Sequence, residues 1–291
     1  MVSKNTLSLD KDSMQQIQHI LYEICGIHLT DSKQTMIQNR INSMLKNPVC
    51  ANIHSFDDLF RTIKGNSQVR QLFINSFTTN KTDLFREAYH FSDMLNRTLI
   101  PLLQGGKEIK ILCSASSSGE EPYSIAATCL YAKNIYKSAS KIKITATDID
   151  TDMLEMAKIG HYQLDKRLNK IPEWVNLEDY FDVKILPDGT QDLKAKQILK
   201  NMITFKQLNL FAKSYPFSKD EFDMIFCRNV LIYFKQKDQE NILAKLHNVL
   251  KVGGTLYLGH SEDVLGLSQF FDRLGNKIFV KNSDSIIKGI E

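Results

Sequence analysis

From residue 107 onward the chain alternates short β-rich apolar runs with segments of helical periodicity, and nothing else in the sequence constrains the fold as strongly. Residues 108–115, 141–147, 202–208, 222–227, 255–259 and 277–280 read as strands, several of them apolar enough to be buried on both faces. Residues 121–132, 151–159 and 237–250 read as helices between them, the last stopped by Gly253 and Gly254. Strands that alternate with helices pair in parallel, because each crossover helix returns the chain to the end of the sheet where the previous strand began. The expectation is an α/β fold: a doubly wound, mostly parallel sheet with helices on both faces.

The alternation lapses between Tyr162 and Asn201. There Phe181, Val183 and Ile185 alternate with polar residues, Pro187, Asp188 and Gly189 make a turn, and Leu193 and Ala195 alternate again. This is a hairpin pattern, so a small antiparallel β insertion at about 163–200 is expected to stand off the main sheet. Trp174 is expected to pack it.

Residues 1–75 read differently, as a helical domain. Asp12 or Ser13 can cap a helix that carries Met14, Ile17, Leu21 and Ile24 on one face. Asp31 or Ser32 can start a second, with Met36, Ile37, Ile41 and Met44; on it Lys33 and Arg40, seven apart, share a face that Lys46 extends. Ser55 opens a third helix, and a fourth runs near 69–73. A linker and cofactor-covering segment, 76–106, then leads into a ligand-binding domain, 107–291.

Composition removes several classes. The five cysteines are odd in number and contain no CxxC pair, so neither a disulfide framework nor a zinc site is expected, and a reducing compartment is. His90, His161 and His260 have no partner at metal-ligand spacing, so no metal is expected. The net charge of +4 comes from dispersed lysines and arginines, which does not call for nucleic acid. No run approaches ~20 apolar residues and the N-terminus opens no signal-like stretch, so a cytoplasmic protein without membrane insertion is expected.

In a doubly wound sheet, ligands bind beyond the carboxyl ends of the strands near the switch point. The first such end is followed by Ser116, Ser117, Ser118, Gly119, Glu120 and Glu121. With one glycine the dinucleotide fingerprint is missing, and two carboxylates at the helix entrance would repel a pyrophosphate. A cofactor with a sulfonium and an ammonium but no phosphate suits this entrance better. The same carboxylates would also be at home merely favouring the helix dipole, with Pro122 in the first turn. At the second strand end Asp148 can accept two hydrogen bonds from a ribose diol, whereas Asp150 or Thr151 suits the helix cap. At the third, Asn209 and Leu210 can read and cover an adenine, or Asn209 can serve a turn. At the fourth, Arg228 and Asn229 face the crevice; Tyr233 lies over Asn229 if a helical turn follows, or joins the core. Before the sheet, Arg86 can hold a carboxylate bidentately or pair with Asp83 or Glu87 at the surface.

Five segments together resemble the CheR family of chemoreceptor glutamate methyltransferases: TTNKTDLFREAYHF (78–91), ILCSASSSGEEPYSIA (111–126), TATDID (145–150), FDMIFCRNVLIYF (222–234) and GGTLYLGHSE (253–262). They run in the family's order. The resemblance implies a Rossmann-like class I methyltransferase sheet with the β insertion and the N-terminal helical domain, and S-adenosylmethionine as cofactor. It implies that Asn80, Thr82, Arg86, Glu121, Asp148, Asn209, Leu210, Arg228 and Asn229 contact that cofactor, with Arg86 and Tyr233 near the point of methyl transfer. The implied partners are the cytoplasmic domains of chemoreceptors, whose acidic methylation region the basic face of Lys33, Arg40 and Lys46 would meet, and the implied enzyme is a monomer. Leu84 stands where the family often has an aromatic, and the run of serines at 116–118 replaces a more varied loop. In the family the insertion can dock a receptor's C-terminal peptide, a role not carried over to this segment.

Two other readings compete. One is a methyltransferase acting on nucleic acid or a small molecule; those that act on nucleic-acid amino groups typically carry Asn/Asp-Pro-Pro-aromatic after the fourth strand, where this chain has Arg228, Asn229, Val230 and Leu231. A non-catalytic adaptor that senses the cofactor would keep the helical domain for partners.

Overall fold

The structure, a computed structural model, describes residues 7–165, 167 and 169–287. Its N-terminal part is a bundle with its own core. Helix α1 (Lys11–Cys25) is capped by Asp10, whose carboxylate accepts the Ser13 N–H at 2.7 Å. The cap therefore falls before Asp12 and Ser13, because Asp10 has the extended backbone a cap requires and Asp12 sits in the first turn. A 3₁₀ turn (Asp31–Lys33) precedes α2 (Gln34–Met44), so Lys33 lies off the helix that carries Arg40. Helices α3 (Phe56–Gly65) and α4 (Ser67–Phe77) are capped by Ser55 and Asn66. Ile17, Leu21, Ile37, Ile41, Leu59 and Phe73 are fully buried together at its centre.

The second half of the expected linker is helical. Helix α5 (Tyr89–Asp93), a π-helical turn (Met94–Leu99) and α6 (Ile100–Gln104) run on from one another, and bury Phe91, Met94, Leu99 and Leu103 against the sheet domain. The apolar spacing that drives this is interrupted by Pro101, which sits at the start of α6.

Strand β1 (Ile109–Cys113), helix α7 (Glu120–Tyr136), strand β2 (Ile142–Asp148) and helix α8 (Thr151–Ile159) begin the winding. The insertion follows: β3 (His161–Leu164), α9 (Leu177–Tyr180), β4 (Phe181–Ile185), β5 (Gln191–Ala195) and α10 (Gln197–Lys200). Then come β6 (Ile203–Gln207), β7 (Phe222–Cys227), α11 (Gln236–Val249), β8 (Leu250–Leu258), β9 (Phe271–Gly275) and β10 (Ile278–Lys281). The main sheet has the order β6-β2-β1-β7-β8-β10-β9. Its first five strands pair in parallel and β10 runs antiparallel between β8 and β9.

The hairpin of the insertion has the expected limits, with Val183 opposite Leu193 and Phe181 opposite Ala195. It gains β3 as a third strand, and it does not stand off. Tyr162, Phe181 and Leu193 share one core with Tyr123 of α7, and Trp174 packs on Phe85 and Tyr131. Two further expectations fail. Gly253 and Gly254 do not stop α11, which ends at Val249; they lie inside β8, where the register with β7 shifts. Strand β9 was not expected, although Asn276 and Lys277, both at positive φ, form the two-residue hairpin turn that pairs it with β10.

The helical part is fastened to the sheet domain at the end of α1. Asn209 Nδ2 donates to the Ile24 carbonyl at 2.7 Å, the His28 N–H donates to the Tyr233 carbonyl at 3.0 Å, and Tyr22 Oη donates to Asp238 at 2.9 Å. Gly26 makes this approach possible: its φ is 72°, and a Cβ there would lie 2.5 Å from the Phe211 ring and 2.9 Å from Phe234. Gly26→Ala is therefore expected to destabilise the protein by about 1–3 kcal/mol, from left-handed strain plus overpacking. A lowered denaturant midpoint would register this; an unchanged midpoint would mean that the two parts are not held this closely.

Candidate active site

A cavity of about 540 Å³ lies beyond the carboxyl ends of β1, β2, β6 and β7, where the winding reverses direction from β1. The sheet supplies its floor. Residues 27–30 of the helical part and residues 77–82 of the linker supply its other walls. Its size is in the range of small-molecule sites, roughly 300–1,000 Å³.

The loop after β1 is shaped by backbone bonds: Ser114 N–H donates to Phe226 and Ser116 N–H to Thr147, at 2.9 and 2.8 Å. Gly119 closes it at φ 103°, packed so near α8 and β3 that a Cβ would lie 2.9 Å from the Ala157 Cβ and 2.6 Å from Tyr162 Oη. This turn sends the two glutamates different ways. Glu120 accepts Ser118 Oγ at 2.7 Å and does not line the cavity. Glu121 lines it, with one oxygen taken by Arg228 Nη1 at 2.6 Å and the other by Cys113 Sγ at 3.1 Å.

Asp148 also lines the cavity, at the end of β2. The N–H groups of Ser117 and Asp150 donate to its two oxygens at 2.7 and 2.9 Å, which fixes its plane. Burial raises its pKa above the usual carboxylate value, opposed by those backbone bonds. Asp150 caps α8, as expected, and accepts Thr78 Oγ1 and Asn80 Nδ2 at 2.5 and 2.9 Å, tying the linker to the sheet.

Arg228 is 5% exposed and lies between two carboxylates. Besides Glu121 it meets Glu87 at 3.3 Å, donates to the Arg86 carbonyl and sits 5.6 Å from the centre of the Phe91 ring. Burial works against its charge, but Glu121 and Glu87 outweigh that and raise its pKa. Its Nε is buried and has no acceptor among the described residues. Asn229 follows at φ 58° and turns its amide to Glu87 at 3.3 Å.

The other expected residues all reach the same cavity, on different terms. Asn80, Thr82, Asn209, Leu210 and Tyr233 line it. The Asn209 side chain is engaged by Ile24 and by the Phe211 N–H, so both a turn and an interdomain bond use it. Tyr233 ends a 3₁₀ turn (Leu231–Tyr233) and not an α-helical one. Arg86 lines the cavity, donates to the Lys81 carbonyl at 3.0 Å, and makes no ion pair with Asp83 or Glu87 among the described residues. Arg40 departs from the expected basic face. Its guanidinium turns inward to the carbonyls of Ser76 and Thr78 at 3.0 and 2.7 Å, where it finishes α4 and the linker, while Lys46 stays exposed.

Two carboxylates in quoted segments take roles the sequence did not suggest: Glu262 had none assigned, and Glu87 was expected only as a surface partner of Arg86. Glu262, 3% exposed, accepts the N–H groups of Asn229, Val230, Leu231 and Gly259, and so holds the turn after β7. Glu87 gathers Arg228, Asn229, Tyr89 and His260. A glutamate that follows Gly-His-Ser at a strand end was the available signal for the first, and nothing in the pattern marked the second as a partner of Arg228.

The lining suits an adenosyl group that carries an ammonium and a sulfonium. Glu121 and Asp148 are braced carboxylates, and the helix entrance bears acid where a pyrophosphate would need N–H donors.

Two family models match the chain: "CheR methyltransferase, SAM binding domain" over residues 80–280, and "CheR methyltransferase, all-alpha domain" over residues 12–78. The chain is 37% identical over 267 residues to a chemotaxis protein methyltransferase of Borreliella burgdorferi, covering 89% of this chain and 91% of that one. It is 35% identical to the chemotaxis protein methyltransferase of Escherichia coli, covering 96% and 93%. It is 32% identical to chemotaxis protein methyltransferase 2 of Pseudomonas aeruginosa, covering 92% of each.

Glu87 makes the site acid-sensitive. Burial raises its pKa, but Arg228, His260 and Asn229 outweigh that and lower it from 4.5 to about 2. Because the folded value lies below the unfolded one, this contribution is full above about pH 4.5 and is lost as pH falls towards 2. Glu87→Gln should flatten that part of the stability profile, followed by denaturant titration at stepped pH; an unaltered profile would sink the assignment. Arg228→Ala, which strands Glu121 and Glu87, is expected to cost about 3–5 kcal/mol.

Proposed function

The chain belongs to the CheR methyltransferase family and is an S-adenosylmethionine-dependent methyltransferase of chemotaxis, and on that premise we propose that it methylates glutamate side chains of chemoreceptors. The products would be glutamate methyl esters and S-adenosylhomocysteine. One observation carries the reading: the match covers both the cofactor domain and the all-helical domain, and the cavity lies between the two.

When bound, S-adenosylmethionine supplies an electrophilic methyl group on a sulfonium. The protein needs no general base for the acceptor, because a glutamate with a pKa of ~4.3 is already ionised near neutrality. Its residues have to bind, align and dehydrate. Asp148 would accept the ribose hydroxyls with its fixed carboxylate. Glu121 would take the ammonium, and Arg228 would hold Glu121 in place. Leu208 and Leu210, with the Asn209 backbone, would border the adenine. Arg86 would hold the incoming glutamate near Tyr233, with the walls from the helical part keeping water out.

The partner would be the cytoplasmic domain of a receptor. Lys33 at the cavity and the exposed Lys46 would face its acidic methylation region; Arg40 is committed to the linker. Among the described residues no helix is long and apolar enough to cross a membrane. We place the enzyme in the cytoplasm, acting as a monomer.

Incubation with methyl-labelled cofactor, receptor-bearing membranes and RNA tests this. Base-labile label on the receptor and none on RNA is expected. Arg86→Ala should lower the rate by on the order of ten- to a hundredfold, as misplacement of a reacting group does. Label on RNA, or none anywhere, would overturn the reading.

A further inference from the structure

The linker turn that presents Arg86 is built from improbable backbone. Phe85 and Glu87 both have φ of 55°, in the left-handed region, on either side of Arg86. For bulky non-glycine residues such a conformation is strained and persists only where surrounding contacts over-determine it. Phe85 is held on one side: its ring is buried against Phe91 and Trp174, and its N–H donates to Ser124 Oγ at 2.8 Å.

Glu87 holds the other side through its carboxylate. One oxygen faces Arg228 Nη2 at 3.3 Å and Tyr89 Oη at 3.2 Å. The other faces Asn229 Nδ2 at 3.3 Å and His260 Nδ1 at 3.1 Å. Donors thus approach both oxygens, and two of them come from the turn after β7. The same Arg228 also takes the Arg86 carbonyl. The backbone of Arg86 is therefore fixed at its own carbonyl and at the next side chain, which leaves its guanidinium on the cavity side.

We propose that Glu87 is a positioning residue for methyl transfer: by locking the left-handed turn onto Arg228 and Asn229, it aims Arg86 into the cavity. The inference rests on the reading of Arg86 given above as the group that holds the acceptor carboxylate. Glu87 itself does not line the cavity.

The test is a double-mutant cycle on the full chain, with receptor methylation and S-adenosylhomocysteine binding measured separately. Glu87→Gln keeps the length of the side chain, but its amide must face donors on one side whichever way it turns. Its kcat is expected to fall on the order of ten- to a hundredfold, as for a displaced reacting group, while S-adenosylhomocysteine affinity changes by less than about threefold. Combined with Arg86→Ala, it should lower kcat no further than the worse single variant, because two residues acting in series do not add. Glu87→Asp, which keeps the charge beside Arg228 but withdraws it by one methylene, covers the case in which Glu87→Gln does not fold, and should show the same split. Full kcat in a folded Glu87 variant, or additive losses in the double variant, would overturn this inference and leave the reading of Arg86 standing. An Arg86→Ala enzyme of unaltered rate would overturn both.

Discussion

A guanidinium taken out of water is tolerated only if anions and acceptors replace the water it loses, and Arg228 organises this protein around that requirement. Its side chain is 1% exposed. Glu121 comes to it from the entrance of α7, Glu87 from the linker, and the Arg86 carbonyl from the residue before. One buried charge therefore joins the loop after β1, the loop after β7 and the segment ahead of the sheet. These are the pieces that must agree in position if a small molecule is to be held between them. The pairing also changes the electrostatics of the site. Glu121 borders the cavity as an ion-paired carboxylate with a fixed orientation.

The second organising contact is between domains. The helical part has its own core and is joined to the sheet domain by directional bonds at the end of α1 and along α4. Asn75 and Gln71 of α4 bond to Thr151 and to the Ile149 carbonyl, directly beside Asp148 and Asp150. Arg40 and Asp150 then grip the linker from its two sides, through the Thr78 carbonyl and the Thr78 hydroxyl respectively. The cavity and the helical domain thus share their supporting residues. A shift of the helical part would be felt first at residues 78–80, on the cavity wall.

Legibility differed from residue to residue for physical reasons. Asp148 stands at the end of an apolar run, Glu121 at a helix entrance, and Arg228 and Asn229 just after a buried strand; such positions face the crevice because of strand and helix geometry alone. Asp150 could likewise be read as a cap from its place before α8. Arg40 misled because helical spacing assigns a face but not a partner, and the carbonyls of Ser76 and Thr78 that capture it are 36 and 38 residues away. Lys33 misled because a 3₁₀ turn breaks the period before α2. Strand β9 was passed over because its residues, apart from Phe271, are exposed and carry no alternating apolar face.

The sequence by itself determined the winding of the sheet, the hairpin of the insertion, the order of the motifs and hence the family, since each depends on periodicity or on near neighbours in the chain. Only the tertiary structure decided what each polar side chain is used for. It spent the Asn209 amide on Ile24, gave Glu262 four backbone N–H groups to hold, and set Glu87 beneath Arg228. The reason is distance along the chain. A carboxylate's role follows from the donors that surround it, and the donors that decide it here, Asn229, Val230 and Leu231 at Glu262 and Asn229 at Glu87, lie 31 to 142 residues away, beyond anything local pattern can encode.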